Sequence, residues 1–311
     1  MKVAPSPAWL SKLLHAVGLN CVNNVVDVTN FVLMDVGQPL HSFDMDRLEG
    51  NAVKVRKANI GESITTIDHT VHELKETDLV ICDGNRPACV AGVMGGVESE
   101  ITEETRSVFL ESAYFDPKTI RRQSKRLGLS SDSSYRFERG IDPFTQAEMN
   151  DYACALIQEV AGGEILQGRL EYTGDDAKKE PDVLEIREER VEKLLGVSIP
   201  ATKIKEYLES IGLKEIAPLR FEIPGFRPDL EREVDLIEEV ARLFGFDNIP
   251  YDLPSFKMAP NELPADERMN RKIRSTLSAM GVHEGLSLRF TSKALTVALF
   301  GENLENDRRS R

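Results

Sequence analysis

The sequence predicts an α+β protein, and three patterns along it support this class. Short alternations of apolar and polar residues, typical of strands, fill much of the first half, where glycine, Asp-Gly and proline interrupt them. Two helices there begin at an aspartate followed by proline and end at glycine. Further along, two helix-length segments separated by a short turn have helix–turn–helix spacing. Strands and helices are therefore expected in separate stretches of the chain.

The first domain is expected to carry strands in its middle and helices towards its ends. The predicted helices run from Ser6-Pro7 to Gly18, from Asp116-Pro117 to Gly128, and from Asp142-Pro143 to Gly162-Gly163. The predicted strands are Val53–Val55, Ser63–Ile67, Leu79–Ile81 and Ser107–Glu111. A polar, acidic stretch, TGDDAKKEPD, follows and separates this domain, residues 1–175, from the next.

The second domain, residues 176–253, is expected to be small and winged-helix-like. Its predicted elements are helices at Glu188–Leu195 and Pro200–Ile211, a strand at Leu219–Ile223 and a final acidic helix. Residues 254–311 are expected to open a third domain, with an amphipathic helix between Glu262 and Gly281 and a strand at Glu284–Phe290. Because so little chain follows, this segment is expected to be a truncated domain.

Composition narrows the possible classes of function. The net charge of −13 argues against broad, non-specific binding of nucleic acids, and against DNA binding by the helix–turn–helix segment. No apolar run approaches the ~20 residues of a membrane span, and the start, MKVAPSPAWL, lacks a signal-peptide core, so a cytoplasmic protein is expected. The four cysteines form no C-x-x-C pair, which favours free thiols.

The acidic helix in the second domain has carboxylates spaced for a divalent metal. Asp235, Glu238 and Glu239 stand at i, i+3 and i+4 and so share one helix face, and Asp229 precedes them where the helix should begin. Oxygen ligands of this kind suit magnesium better than zinc. From spacing alone, a solvated acidic face remains the alternative.

A second helix face is strongly basic. In DPKTIRRQSKRLG, five cations at i, i+3, i+4, i+7 and i+8 form one stripe, with Ile120, Ser124 and Leu127 on the opposite side. The five are Lys118, Arg121, Arg122, Lys125 and Arg126. Such a stripe on an acidic chain needs an anionic partner, either the protein's own acids or a phosphate backbone.

Several long stretches closely resemble the bacterial phenylalanyl-tRNA synthetase beta subunit, in the order found in that family. They are NNVVDVTNFVLMDVGQPLHSFD, AGVMGGVESEITEETRSVFLESAYFDPKTIRR, LGLSSDSSYRFERGIDP and RPDLEREVDLIEEVARLFGFDNIP. The resemblance covers essentially the whole chain. It implies an editing domain over residues 1–175, the winged-helix-like domain after it, and the start of a catalytic-like domain.

The resemblance also implies an editing function, which is hydrolysis of tyrosine wrongly attached to phenylalanine tRNA. Glu111 matches the glutamate that reads the tyrosine phenol, and His41 matches the histidine that orients or polarises the ester and its water. Gly95 matches a position where backbone comes close to the bound amino acid. Further pocket positions fall on Asn30, Pro39, Ser131 and Ser133. From the residues alone, His41 and Glu111 have structural alternatives, such as an ion pair of Glu111 with an arginine.

By the same resemblance, magnesium is held by Asp229, Asp235, Glu238 and Glu239 and is shared with the alpha subunit. The implied partners are that subunit and phenylalanine tRNA, which the basic stripe would contact. ATP is used by the full enzyme, but no glycine-rich phosphate loop is found here, so this chain is not expected to bind it.

The chain departs from the family pattern at three positions. Ser131 and Ser133 stand where many relatives carry threonine and alanine, and Asn20 stands where some carry arginine. These departures fit one alternative to an editing domain, a non-catalytic module that packs on the alpha subunit, its editing site decayed. A second alternative is a nucleic-acid-binding module that acts through its helix–turn–helix, and the acidic balance of the chain argues against it.

Overall fold

A computed structural model describes residues 1–174, 180–251, 262–286 and 290–301 of the chain. The chain divides into a first unit, Met1–Pro250, and a second unit, Tyr251–Arg311. Both expected domain boundaries, at 175/176 and 253/254, lie outside the described residues. Among the residues described, no helix is long and apolar enough to cross a bilayer.

Strands and helices occupy separate stretches of the first 161 residues. The helices are α1 (Ala8–Ala16), α2 (Asn24–Val36), α3 (Pro117–Leu127), α4 (Asp132–Phe137) and α5 (Gln146–Ala161). The strands are β1 (Leu40–Asp44), β2 (Lys54–Lys57), β3 (Ser63–Thr65), β4 (Val71–Glu73), β5 (Leu79–Cys82), β6 (Pro87–Val90), β7 (Met94–Gly95) and β8 (Val108–Ser112). Their pairings are antiparallel throughout the described chain, which confirms the α+β class.

Helix α3 begins and ends as its sequence predicts. The Asp116 carboxylate accepts a hydrogen bond from the Thr119 N–H at 2.8 Å, and Pro117 occupies the first turn. Gly128 ends the helix with φ of +69°, a left-handed conformation that glycine adopts without steric cost. Both boundaries are fixed by residues of the helix and its flanks, and for that reason they are readable from the sequence.

Two other predicted helix starts are wrong in detail. Asp142 accepts a hydrogen bond from the Phe144 N–H at 2.9 Å, so it forms a turn, and α5 begins only at Gln146. Ser6 does not cap α1, because its hydroxyl donates to the Asp27 carboxylate at 2.6 Å, and Pro7 is the residue that precedes the helix. In both cases the capping side chain has a competing partner.

Three small sheets build the first domain. Strands β1 and β8 form a two-stranded ribbon, β3 and β4 form a hairpin, and the four-stranded sheet has the order β2-β5-β6-β7. One buried cluster contains Phe43 of the ribbon, Val90 of the four-stranded sheet and Ile120 of α3. The ribbon and α3 are therefore packed on the same core as strands β6 and β7.

The second domain has the predicted helices and two strands more than the one expected. Its elements are β9 (Val183–Glu185), α6 (Glu188–Leu195), α7 (Ala201–Ser210), β10 (Lys214–Ala217), β11 (Arg220–Glu222) and α8 (Glu233–Phe244). The strands form an antiparallel sheet in the order β10-β11-β9. Val191, Ile204 and Leu236, one from each helix, are fully buried against Phe221 of the central strand.

The second unit contains α9 (Ala265–Ala279) and α10 (Lys293–Phe300). Helix α9 confirms the amphipathic helix predicted between Glu262 and Gly281. The predicted strand at Glu284–Phe290 is not found at residues 284–286, and residues 287–289 lie outside the described part of the chain.

Candidate functional site

His41 and Glu111 lie directly opposite each other in the β1–β8 ribbon. Side chains of directly opposite residues in an antiparallel pair project from the same face, so the imidazole and the carboxyl group are neighbours. The Glu111 Oε2 atom is buried and has no hydrogen-bond partner within the described residues. The structure therefore brings these two predicted site residues together and leaves one carboxyl oxygen available to a ligand.

The His41 ring fills the space left by the missing side chain of Gly95 on β7. A β-carbon added to Gly95 would lie 2.6 Å from His41 Cε1, closer than real β-carbons pack, and 3.0 Å from Nε2. The ring also contacts Phe43 in an edge-to-face arrangement, with centroids 4.4 Å apart and planes at 83°. Gly95 is thus required by the close approach of the imidazole.

Burial acts in opposite directions on the two titratable groups of the site. It lowers the pKa of His41 from its usual 6.5 to about 4, and it raises the pKa of Glu111 from 4.5 to about 8. Near neutral pH the imidazole is therefore uncharged and the carboxyl group is largely protonated. A protonated carboxyl group both donates and accepts hydrogen bonds, and an uncharged imidazole keeps one ring nitrogen as an acceptor.

Cys89 on β6 also lines the site, although sequence reasoning did not single it out. It pairs with Gly95 across β6 and β7, and a charge on Glu111 contributes to the raised pKa of its thiol, after the larger effect of burial. Its Sγ contacts the carbonyl oxygens of Val90 and Met94, both at 3.4 Å. Because the thiol stays protonated, Cys89 is not equipped as a nucleophile.

The remaining predicted pocket residues are placed differently. Ser131 precedes α4, where its hydroxyl accepts from the Ser134 N–H and donates to the Val93 carbonyl at 2.6 Å, two residues before Gly95. Pro39 is buried immediately before β1, and Asn30 and Ser133 are half-buried on α2 and α4. In the described chain, neither the Asn30 nor the Ser133 side chain makes a hydrogen bond to His41 or Glu111.

The basic stripe lies on the outer face of α3, but its members differ in their partners. Lys118, Arg121, Arg122 and Lys125 are exposed, and of these Arg121, Arg122 and Lys125 form no ion pair with any described residue. Arg126 instead makes two hydrogen bonds to the buried Asp78 carboxylate, one of them 3.0 Å from Nε to Oδ1. The sequence left two kinds of anionic partner open for the basic stripe, the protein's own acids or a phosphate backbone. Arg126 has a partner of the first kind.

The four carboxylates proposed as metal ligands are mostly paired with other groups. Arg227 bridges Asp229 and Glu239, with Nη2 2.6 Å from an oxygen of each. Asp235 accepts from the backbone N–H groups of residues 231 and 232, at 3.1 and 2.7 Å. Glu238 is exposed and has no partner in the described chain.

A complete metal site is not formed by these residues. No group of three or more histidine, cysteine, aspartate or glutamate side chains in the described chain is arranged to hold a metal ion. The guanidinium groups of Arg227 and Arg242 supply the positive charge that offsets Glu239, and Arg227 lowers the pKa of Asp229 through its hydrogen bonds.

Comparison with known proteins gives two family matches that follow the chain in order. A family model for the B3/4 domain matches residues 1–162, and one for the tRNA synthetase B5 domain matches residues 184–246. A phenylalanine–tRNA ligase beta subunit from Moorella thermoacetica is 43% identical over 293 residues, covering 93% of this chain and 36% of that protein. Its counterpart from Syntrophotalea carbinolica is 44% identical over 299 residues, covering 94% and 37%.

A third relative, the beta subunit from Geobacter sulfurreducens, is 41% identical over 313 residues and is matched by 99% of this chain. The chain spans 36–39% of the length of these relatives. A solved N-terminal fragment of the phenylalanyl-tRNA synthetase beta subunit from Pyrococcus horikoshii is similar at a TM-score of 0.36 and 15% identity, over 71% of this chain and 65% of that one. A likeness this weak defines no residue correspondence.

Replacing Glu111 with glutamine should change how stability depends on pH. The folded chain holds the Glu111 proton more tightly than the unfolded chain, so this group's contribution to the free energy of unfolding is full below its usual pKa of 4.5 and is lost as pH rises towards 8. The loss is at most about 1.4 kcal/mol per pH unit. His41 titrates in both the wild type and Glu111→Gln, so its effect on the free energy of unfolding cancels when the two are compared.

Urea unfolding of the wild type, Glu111→Gln and the exposed control Glu104→Gln, repeated across this pH range, measures the effect. The wild type and the control should lose stability faster with rising pH than Glu111→Gln. Parallel curves for all three proteins would show that the Glu111 carboxyl group is not buried in the folded chain.

Proposed function

Because this chain belongs to the B3/4 domain family and corresponds to a part of the phenylalanine–tRNA ligase beta subunit, we propose that its first domain, residues 1–175, is an editing domain. It hydrolyses tyrosine wrongly attached to phenylalanine tRNA. The observation that carries the proposal is the buried Glu111 oxygen beside His41, which has no hydrogen-bond partner among the described residues. A synthetic pocket built for an apolar side chain rejects an added hydroxyl only weakly, so a second site that binds the phenol corrects the error.

Glu111 is the residue that distinguishes tyrosine from phenylalanine in this proposal. A phenol hydroxyl can donate to one oxygen of the carboxyl group or accept its proton, and so satisfies the buried Oε2 atom. Phenylalanine offers no such partner and leaves the group unpaired, at a cost of about 1–3 kcal/mol. That difference corresponds to a discrimination of roughly 5- to 150-fold.

His41 acts on the ester and its attacking water. Its uncharged imidazole accepts a hydrogen bond from water and orients it towards the ester carbonyl carbon. The water oxygen then bonds to that carbon, the bond to the tRNA ribose oxygen breaks, and the ribose hydroxyl leaves with a proton. Since burial lowers the pKa of His41 to about 4, the imidazole is a weak base, and positioning is its main contribution.

Deacylation of tyrosine-charged phenylalanine tRNA by the chain, followed as free tyrosine, tests this function. His41→Ala should slow hydrolysis about 100-fold, the lower end of what a positioned acid–base group contributes. His15→Ala, an exposed histidine at the end of α1, is the matched control and should hydrolyse normally. Glu111→Ala should lose most of the preference for tyrosine over phenylalanine esters.

Absence of tyrosine release by the folded wild type would reject the editing function. The chain would then be a non-catalytic module, the alternative to which the serines at positions 131 and 133 pointed. Equal rates in the wild type and His41→Ala would remove His41 from the mechanism while leaving the activity in place.

The rest of the chain is proposed to hold the alpha subunit of the ligase, which carries out the ATP-dependent attachment of phenylalanine. Phenylalanine tRNA is proposed to contact the exposed face of α3. The unpaired cations Arg121, Arg122 and Lys125 support this, because an acidic chain of net charge −13 leaves them without an internal partner among the described residues.

Removing two of these cations should weaken tRNA binding and flatten its dependence on salt. In the double variant Arg122→Ala, Lys125→Ala, each lost phosphate contact should reduce the slope of log affinity against log salt by about 0.7 on single strands, and by about 0.9, the value for B-form DNA, on duplex regions. The control Lys54→Ala, Lys57→Ala removes the same charge from exposed positions on β2. If both variants change the slope equally, the effect is one of net charge and α3 is not the contact.

Magnesium shared with the alpha subunit remains a proposal for Asp229, Asp235, Glu238 and Glu239. Because Arg227 already bridges two of them, the chain alone should bind the ion weakly, and calorimetry should show no tight site. Arg227→Ala frees Asp229 and one oxygen of Glu239, whose other oxygen stays paired with Arg242, and should strengthen binding. Arg187→Ala, which unpairs Glu233 instead, should not. Tight binding by the wild type, abolished in Glu238→Gln, would contradict the requirement for a partner.

A further inference from the structure

The β1–β8 ribbon ends close to the candidate site. Its last residue pair is Leu40 and Ser112, and the pair of site residues is the next one inward. Immediately outside the last pair lie Pro39, before β1, and Ala113, after β8. Proline has no backbone N–H, so Pro39 cannot donate a hydrogen bond to the neighbouring strand. The end of the ribbon next to the site therefore needs another donor to keep its strands together.

The side chain of Gln38 supplies that donor. Its Nε2 atom donates to the carbonyl oxygen of Pro39 and to that of Ala113, both at 2.9 Å. The two carbonyls belong to different strand ends, so one amide group joins them. Gln38 is 3% exposed, and water therefore does not compete for these bonds.

The orientation of the Gln38 amide is fixed by the partners on both of its ends. Gln38 Oε1 accepts from Nε2 of Gln146, the first residue of α5, at 3.2 Å, and Gln146 Nε2 also donates to the Asp142 carbonyl at 2.5 Å. If the amide of Gln38 turned over, its oxygen would face two carbonyl oxygens, which can only accept. The side chain therefore has one favourable arrangement, in which the –NH2 group faces the ribbon.

A second buried glutamine makes similar bonds in a different sheet. Gln123 of α3 is 2% exposed, and its amide donates to the Leu79 carbonyl at 3.0 Å and accepts from the Leu79 N–H at 2.6 Å. Its Nε2 atom also lies 3.5 Å from the carbonyl oxygen of Ala91, just after β6. Because these bonds are on β5 and beside β6, Gln123 matches Gln38 in type and burial without contacting the ribbon.

We infer that Gln38 is a positioning residue for His41 and Glu111. By joining the strand ends one residue pair away, its amide keeps the imidazole and the carboxyl group opposite each other. The inference deepens the proposed hydrolysis and rests on it for its catalytic consequence. The connection between the strand ends, in contrast, is a property of the chain itself and can be tested without any substrate.

Hydrogen exchange of backbone amides tests this connection. Gln38→Met keeps about the same side-chain length but has no N–H to donate. Exchange in peptides that cover β1 and β8, followed by mass spectrometry, should become severalfold faster than in the wild type, because the end of the ribbon opens more often. Urea unfolding of each variant corrects for any change in the global free energy of unfolding.

The control Gln123→Met should speed exchange in β5 and leave β1 and β8 unchanged after the same correction. Equal corrected exchange of β1 and β8 in the wild type and Gln38→Met would overturn the inference. If Gln38→Met does not fold, Gln146→Ala, which removes only the partner of Gln38 Oε1, decides by the same criterion.

Kinetics separates this inference from the proposed function. Gln38→Met should lower kcat for tyrosine release about tenfold with little change in KM, because misplaced catalytic groups lose rate more than substrate binding. Gln123→Met should change neither. An unchanged kcat in Gln38→Met, with an active wild type, would overturn the positioning role. A wild type that releases no tyrosine would reject editing, and the exchange rates would still decide whether Gln38 holds the ribbon together.

Discussion

The candidate site depends on the close approach of one imidazole to a strand that lacks a side chain. Even an alanine at Gly95 would place a β-carbon 2.6 Å from His41 Cε1, so either the ring would turn away or the strands would separate. The ring cannot turn freely, because it also meets Phe43 edge-on and shares its face with Glu111. The strand register places the two titratable groups opposite each other, and the position of the imidazole depends on a glycine that belongs to neither strand of their ribbon.

The same burial that fixes these groups also decides their charge. An isolated buried charge is costly, and each group avoids the cost by adopting its uncharged form, which requires opposite pKa shifts in an imidazole and a carboxyl group. The described hydrogen bonds do not join the two side chains, so no ion pair compensates for burial. An uncharged site of this kind favours a neutral hydroxyl, such as a phenol, over a charged group, and this supports the proposed reading of tyrosine by Glu111.

The sequence predicted best those elements whose boundaries are set by residues within or next to the element itself. Helix α3 is bounded by its own Asp116 and Gly128, whereas the start of α5 was misplaced because Asp142 bonds within a turn. The pairing of His41 with Glu111 required family resemblance, since nothing in either segment specifies the register between β1 and β8. Cys89 was missed for the same reason: only the pairing of β6 with β7 places it opposite Gly95 and so beside the site.

Charged residues show most clearly what spacing cannot predict. Arg122 and Arg126 are both on the predicted basic stripe, yet Arg122 is exposed without an ion pair in the described chain, and Arg126 is bound to the buried Asp78. A helical wheel cannot distinguish Arg122 from Arg126, because the partner of Arg126 is Asp78, which lies just before β5 and far away in sequence. Removing Arg126 would leave the buried Asp78 carboxylate without its cation, with the Lys75 backbone N–H as a remaining donor, so the loss of Arg126 acts first on the fold. A cation can bind an external anion at little cost to stability only where it forms no ion pair within the protein. On α3, the described contacts show no such ion pair for Arg121, Arg122 and Lys125.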